Sequence, residues 1–191
     1  MENHKQRLIV GVSGASGTIY AKALLEILQS LPVEIHLVVS DSAREVMRLE
    51  TDFSFADLAA LATVVHDIND IGASISSGSF KTIGMIVAPC SMKTLAEIAN
   101  GVSSNLLSRA ADVVLKERRK LVLMVRETPL NLVHLRNMLT VTEMGGIIAP
   151  PLIATYTRPQ SLTEAITHSA KRVLDLFDLP LAEIKRWQGS H

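Results

Sequence analysis

The sequence predicts an α/β protein, a mostly parallel sheet held between two layers of helices in a single domain. Three observations carry this expectation. Short β-branched runs alternate with stretches of helical periodicity along the whole chain, the pattern of strands covered on both faces. The 191-residue length suits one domain with a full core. Hydrophobic residues make up 48% of the chain and charged residues 20%, which excludes a disordered polypeptide.

The elements follow in order. A strand at 7–13 runs into glycines at 11, 14 and 17 and then a helix at 17–30. A second strand, 33–40, ends at Ser40 and leads into helices at 41–50 and 55–62. A weaker strand is expected at 63–66. The run 84–89 is bounded by Gly84 and Pro89 and precedes helices at 91–99 and 104–118. The run 121–125 precedes a helix at 130–144. The last strand, 146–149, precedes a helix at 161–177 that opens on Ser161-Leu-Thr-Glu164, the form of a capping box. No repeat, low-complexity tract or linker interrupts residues 1–191. The tail at about 180–191 is expected to dock on the domain or on a neighbouring subunit.

Composition narrows the partners. Lysine plus arginine equals aspartate plus glutamate, 19 each, so nothing points to nucleic acid or a membrane surface. Aromatic residues are only 4%, so the core is aliphatic. A mean hydropathy of +0.28 hints at further buried surface between subunits. No apolar run is long enough to span a bilayer, and the N-terminus lacks a signal-peptide core. One cysteine excludes a disulfide framework, and the six histidines show no metal-ligand spacing. A cytoplasmic protein without a metal is expected.

The most informative segment is Leu8-Ile-Val-Gly-Val-Ser-Gly-Ala-Ser-Gly17. Glycine lets backbone approach an anion, serine hydroxyls donate to it, and the following helix offers unpaired N–H groups. The spacing is G-x-x-G-x-x-G, not the dinucleotide fingerprint. No carboxylate sits at the tip of the second strand to hold a ribose, although Asp41 follows it. That favours a ligand with one phosphate, against the alternative of a turn that merely packs helix on sheet.

In parallel sheets ligands bind beyond the carboxyl ends of the strands. Those ends carry Ser13 and Ser16, then Ser40, then Pro89-Cys-Ser-Met-Lys-Thr94, then Arg126-Glu-Thr-Pro129. Ser91 to Thr94 can cap a helix or hold a phosphate. Arg126 and Glu127 set an anion clamp beside a possible proton donor, or form a structural ion pair. Arg109 and Lys116 lie seven apart on one helical face and can hold an anion together or simply be solvated. Glu50 alone reads as a surface acid and Cys90 as a small buried hydrophobe. Tyr156 and Trp187 can cap a ligand or pack.

Seven segments then stand together in order: Gly14-Ala-Ser-Gly17, Leu49-Glu-Thr51, Ser76-Ser-Gly-Ser-Phe80, Pro89 to Thr94, Arg109 to Arg118, Arg126 to Pro129, and Tyr156-x-Arg-Pro-Gln-Ser161. With them the chain closely resembles the flavin prenyltransferases of the UbiX type over about residues 7–188. The resemblance implies a flavodoxin-like Rossmann fold, FMN bound at subunit boundaries, and a dodecamer. It implies transfer of a dimethylallyl group from dimethylallyl monophosphate to N5 and C6 of reduced FMN. The prenylated FMN would serve a UbiD-type decarboxylase, in ubiquinone synthesis or in aromatic-acid breakdown.

By position, the resemblance sets Gly14, Ala15, Ser16, Ser40, Ser91, Met92, Lys93, Thr94 and Arg126 against FMN. It implies that Lys116, Arg126, Tyr156 and Arg172 hold the substrate phosphate, Lys116 across an interface, with Arg109 in support. Glu127 becomes the acid–base group at the phosphate and Glu50 the group that handles flavin protons. Ser16 orients the region near N5, and Trp187 closes the pocket. Two departures stand out. Ile153-Ala-Thr155 replaces the Pro-Ala-Phe of many relatives, and Val125 replaces a proline. Two rivals remain: an FMN-dependent decarboxylase of the same superfamily, and a non-catalytic FMN carrier for a partner decarboxylase.

Overall fold

Six strands build one sheet in a computed structural model of the chain, which describes residues 5–181, 184–187 and 189. They are β1 (Gln6–Val12), β2 (Val33–Val39), β3 (Val64–His66), β4 (Gly84–Cys90), β5 (Lys120–Val125) and β6 (Ile147–Ile148). Their order is β3-β2-β1-β4-β5-β6. Every pairing among the described residues is parallel.

The helices are α1 (Ile19–Gln29), α2 (Asp41–Glu50), α3 (Phe55–Ala59), α4 (Met92–Ala99), α5 (Leu106–Lys116), α6 (Leu132–Glu143) and α7 (Leu162–Asp175). Alternation along β1 explains their division between two layers. Leu8, Val10 and Val12 point to the face covered by Leu24 and Leu28 of α1, Met47 of α2, Leu58 of α3 and Leu174 of α7. Ile9 points the other way, with Met85 and Val87 of β4, toward Leu95 of α4, Leu107 of α5 and Val141 of α6. The result is the flavodoxin-like three-layer arrangement.

The chain goes from β1 to β2 on one side, and β4 pairs with β1 on the other. Strand order therefore reverses at β1 and β4, where a crevice opens beyond the carboxyl ends. Ser13, buried at this point, fastens its two rims. Its Oγ donates to Pro89 O at 3.0 Å and accepts from Ser91 N at 2.8 Å. Ser13→Ala leaves a buried N–H without its acceptor, which costs about 1–3 kcal/mol. Urea unfolding should show a lower midpoint with an unchanged slope.

Helix boundaries follow their caps. The first helix begins at Ile19 rather than at 17, because Gly17 adopts φ +104° and Thr18 is the cap residue. Asn105 and Asn131 set the starts of α5 and α6 through reciprocal capping boxes. At Ser161 the expected box is only half made. Ser161 Oγ accepts from Glu164 N, but the Glu164 carboxylate accepts from Gln160 N instead of closing on Ser161.

At the β2–β3 edge, Glu34 Oε1 lies 2.9 Å from His36 Nε2, and His36 Nδ1 lies 2.9 Å from His66 Nε2. Burial pushes His36 below its ordinary pKa, with Glu34 opposing, and burial also lowers His66. The folded state thus binds fewer protons than the unfolded chain. The resulting stability is full above the unfolded histidine value of about 6.5 and is lost as pH falls through the folded values. The urea midpoint should drop between pH 7.5 and pH 5.5, and His36→Gln should flatten that slope.

Candidate functional site

A hollow of about 450 Å³ opens at the carboxyl ends of β1, β4 and β5. The loop after β1 contributes Gly14, Ala15 and Ser16. The start of α4 contributes Ser91, Met92 and Lys93. The segment after β5 contributes Arg126 and Glu127, and the first turn of α2 contributes Ser42. A second open hollow, of about 490 Å³, lies at the opposite, amino end of β1 beside Arg7 and Lys81. The hollow at the switch point is the one that gathers the phosphate-cradle residues.

Two helices begin at its wall. Ser40 caps α2, its Oγ accepting from Ala43 N at 3.1 Å. Ser91 caps α4, its Oγ accepting from Thr94 N at 3.3 Å and donating to Thr94 Oγ1 at 3.2 Å. Both caps leave first-turn N–H groups and the positive dipole ends near the hollow. Ser40 and Thr94 thus work mainly behind the surface, as supports.

Gly14 is demanded by close approach. A β-carbon there would stand 2.4 Å from Ser42 Oγ and 2.5 Å from Ser42 Cβ, so the loop rides directly on α2. Ser42 Oγ lies 3.2 Å from Ser40 Oγ. Sequence reasoning passed over Ser42. Its signal was the Ser40-Asp-Ser42 spacing, which sets a second hydroxyl on the first turn of a helix that begins at a strand tip.

Glu50 ends α2 and reaches back to the same loop. Its Oε2 accepts from Ser16 Oγ and from Gly17 N, both at 3.1 Å. Gly17 takes φ +104° at this turn, a conformation that favours glycine. Two residues 34 apart in sequence are thus joined at one rim of the hollow.

Arg126 is fixed at its root, its N–H donating to Cys90 O at 3.1 Å. Its charge reaches α1: burial raises the Tyr20 phenol above its ordinary pKa, and the Arg126 guanidinium opposes that rise. Glu127 Oε1 accepts from Thr128 N at 2.9 Å. Lys93 is exposed and pairs only loosely, at 3.7 Å, with the mostly buried Glu97. Cys90 is fully buried, and burial pushes its thiol above the ordinary range.

The remaining candidate residues do not line this hollow within one chain. Tyr156 stands on a short 3₁₀ turn (Thr155–Thr157), its ring 5.9 Å from His168 and 5.9 Å from Trp187. Arg172 edges a separate recess of about 210 Å³ that includes Leu152, Ala154 and His168. Arg109 pairs with Asp112 at 2.7 Å, and Lys116 with Glu117 at 2.5 Å. Lys116 closes α5, next to the amino end of β5 and beside Gly78. It therefore lies at the other end of the sheet from Ser16.

The donor set of the switch-point hollow suits a phosphate monoester: a tight glycine-bearing loop, two helix starts, several hydroxyls and a guanidinium. Among the described residues, no cluster of three His, Cys, Asp or Glu could hold a metal ion, and no helix is long and apolar enough to cross a membrane.

Comparison with known proteins agrees with this chemistry. The sequence profile of the Flavoprotein family matches residues 1–177. Flavin prenyltransferase UbiX of Thauera aromatica is 58% identical over 184 residues, covering 96% of this chain and 95% of that protein. AnUbiX (PadA1), solved in complex with FMN and dimethylallyl pyrophosphate, superposes with a TM-score of 0.95 at 49% identity, over 98% of this chain and 100% of that one. A dodecameric FMN-dependent UbiX-like decarboxylase from Escherichia coli O157:H7 superposes at 0.93 with 51% identity, over 96% and 100%.

Proposed function

From a chain that belongs to the Flavoprotein family, and within it to the UbiX-type flavin prenyltransferases, we propose a dimethylallyl transferase acting on reduced FMN, with dimethylallyl monophosphate as donor. The observation that carries this reading is the meeting of a phosphate cradle, Gly14 to Ser16 with Ser91 to Lys93, and the pair Arg126–Glu127 in one hollow.

FMN fits the cradle on the chain's own terms, since the Gly14–Ser16 loop, the hydroxyls of Ser42 and Ser91 and the cations Lys93 and Arg126 line one hollow. When bound, the reduced flavin supplies the N5 and C6 positions that accept the prenyl group. Gly14, Ala15, Ser16, Ser91, Met92, Lys93 and Arg126 hold it, with Ser40 and Thr94 supporting them from behind. Arg126 also neutralises charge as the allylic phosphate departs, and Glu127 gives that phosphate a proton. Each such fixed donor is worth about 3–4 kcal/mol in the transition state. The Ser16 hydroxyl donates to Glu50, so a proton taken near Ser16 has a carboxylate one hydrogen bond away.

Lys116, Tyr156 and Arg172, with Arg109 and Trp187, complete the grip on the donor phosphate from neighbouring copies of the chain. The apolar face of α6 supports such an assembly: Leu132, Val133, Leu135 and Leu139 are each at least half exposed. A dodecamer, like that of the Escherichia coli neighbour, and transfer of the product to a UbiD-type decarboxylase belong to the same proposal. So does a cytoplasmic location.

Anaerobic incubation with reduced FMN and dimethylallyl monophosphate tests the reading. Free phosphate and a flavin heavier by one five-carbon unit are the expected products. Release of neither identifies an FMN carrier, and carbon dioxide from a peptide substrate would identify a decarboxylase. Replacing the monophosphate by the pyrophosphate shows which donor the site prefers.

A further inference from the structure

The segment 184–187 is tied to α7 by two carboxylates, Glu164 through a loose pair with Lys185 at 3.4 Å and Asp175 through Arg186. Arg186 Nη1 and Nη2 donate to Asp175 Oδ2 and Oδ1 at 2.8 and 2.5 Å, a two-pronged grip. Arg172, one turn earlier on α7, donates from Nη1 to the same Oδ2 at 2.5 Å. Asp175 thus stands between two guanidinium groups that would otherwise repel each other. Its carboxyl lies below the ordinary range, held there by Arg186 first, against a rise from burial. The same tail segment makes further contacts: Lys185 O lies 3.2 Å from His168 Nε2, Lys185 Nζ donates to Thr157 O at 3.4 Å, and the Trp187 ring meets Tyr156.

We propose that Asp175 is a positioning residue for the donor phosphate. It aims Arg172 and, through Arg186, fastens the tail that lays Trp187 on Tyr156. The inference rests on the assignment of Arg172 and Tyr156 to that phosphate. The trio of Arg172, Asp175 and Arg186 keeps one net positive charge, and the Arg172 guanidinium carries more donors than the Nη1 it gives to Asp175. Arg172 itself edges the recess beside Leu152 and Ala154. Without the carboxylate, the two cations push apart, Arg172 swings off its line, and Trp187 loses the stronger of its tethers, keeping only the looser contacts of Lys185. The FMN cradle makes no use of Asp175, so flavin affinity is untouched.

The test compares Asp175→Asn, Asp175→Glu, Arg172→Ala and Arg186→Met in the full-length protein at saturating reduced FMN. Asp175→Asn should raise KM for dimethylallyl monophosphate about tenfold or more, change kcat by less than about threefold, and leave the FMN dissociation constant unchanged. Asp175→Glu should recover most of the KM. Trp187 is the single tryptophan of the chain, so its fluorescence reports the tail alone. Acrylamide should quench it more strongly in both Asp175→Asn and Arg186→Met. If Arg172→Ala raises KM while Asp175→Asn does not, the positioning role is overturned and the phosphate assignment stands. If Arg172→Ala leaves KM unchanged, that assignment fails and the inference with it. Unchanged quenching in both tail variants also overturns the inference, even should Asp175→Asn fold poorly.

Discussion

Arg126→Ala lowers kcat/KM for the allylic phosphate by about 10²–10³, the loss that follows removal of one preorganised donor to developing charge. The side chain leaves the sheet at the end of β5, where its own N–H is held by Cys90 O. The side chain therefore starts from a fixed point at the rim of the hollow that it lines. Its positive field is already felt at Tyr20. Arg126→Lys restores little, because a single ammonium cannot present a planar fork to phosphate oxygens. Steady-state kinetics at saturating reduced FMN check both variants. Wild-type turnover by Arg126→Ala would remove this residue from the chemistry.

Gly14→Ala has the second large effect, and it falls on flavin binding. The new methyl would stand 2.4 Å from Ser42 Oγ, inside any tolerable contact. The loop or α2 must move, a strain of about 1–3 kcal/mol that the bound flavin phosphate would feel directly. FMN should bind about 5–150-fold more weakly by titration, the range that strain spans. Ser42→Gly in the same chain removes the atoms in conflict and should recover part of the affinity. A Gly14→Ala protein that keeps wild-type affinity would show that the cradle does not touch the flavin.

The fold was legible because each strand is a short β-branched run with its own punctuation. All six strands stand where the runs lie, and even the weak run at 63–66 forms β3 against β2. Helix starts shifted by one or two residues where a cap intervened, as at Thr18, Ser91 and Asn131. Caps depend on side-chain geometry that periodicity does not carry.

The candidate site was legible in part. Residues that follow parallel strands must share one edge, so Gly14, Ser16, Ser91 and Arg126 could be grouped from topology alone. Glu50 could not, since it ends a helix and only the turn at Gly17 brings it to Ser16. Ser13 was misjudged in the opposite sense: it follows β1 like Ser16 but points inward, where its hydroxyl is consumed by Pro89 and Ser91. The side alternation of a strand running into a tight loop is not fixed by sequence. Tyr156 and Arg172 gather about His168, while Lys116 lies at the other end of the sheet from Ser16, so the proposed meeting of all three at one phosphate would need assembly.

The most direct test is a crystal structure of the protein grown with FMN and dimethylallyl monophosphate. The account predicts the flavin phosphate between the Gly14–Ser16 loop and the start of α4, with the donor phosphate within reach of Arg126. Flavin bound elsewhere, or a donor phosphate out of reach of Arg126, would contradict it.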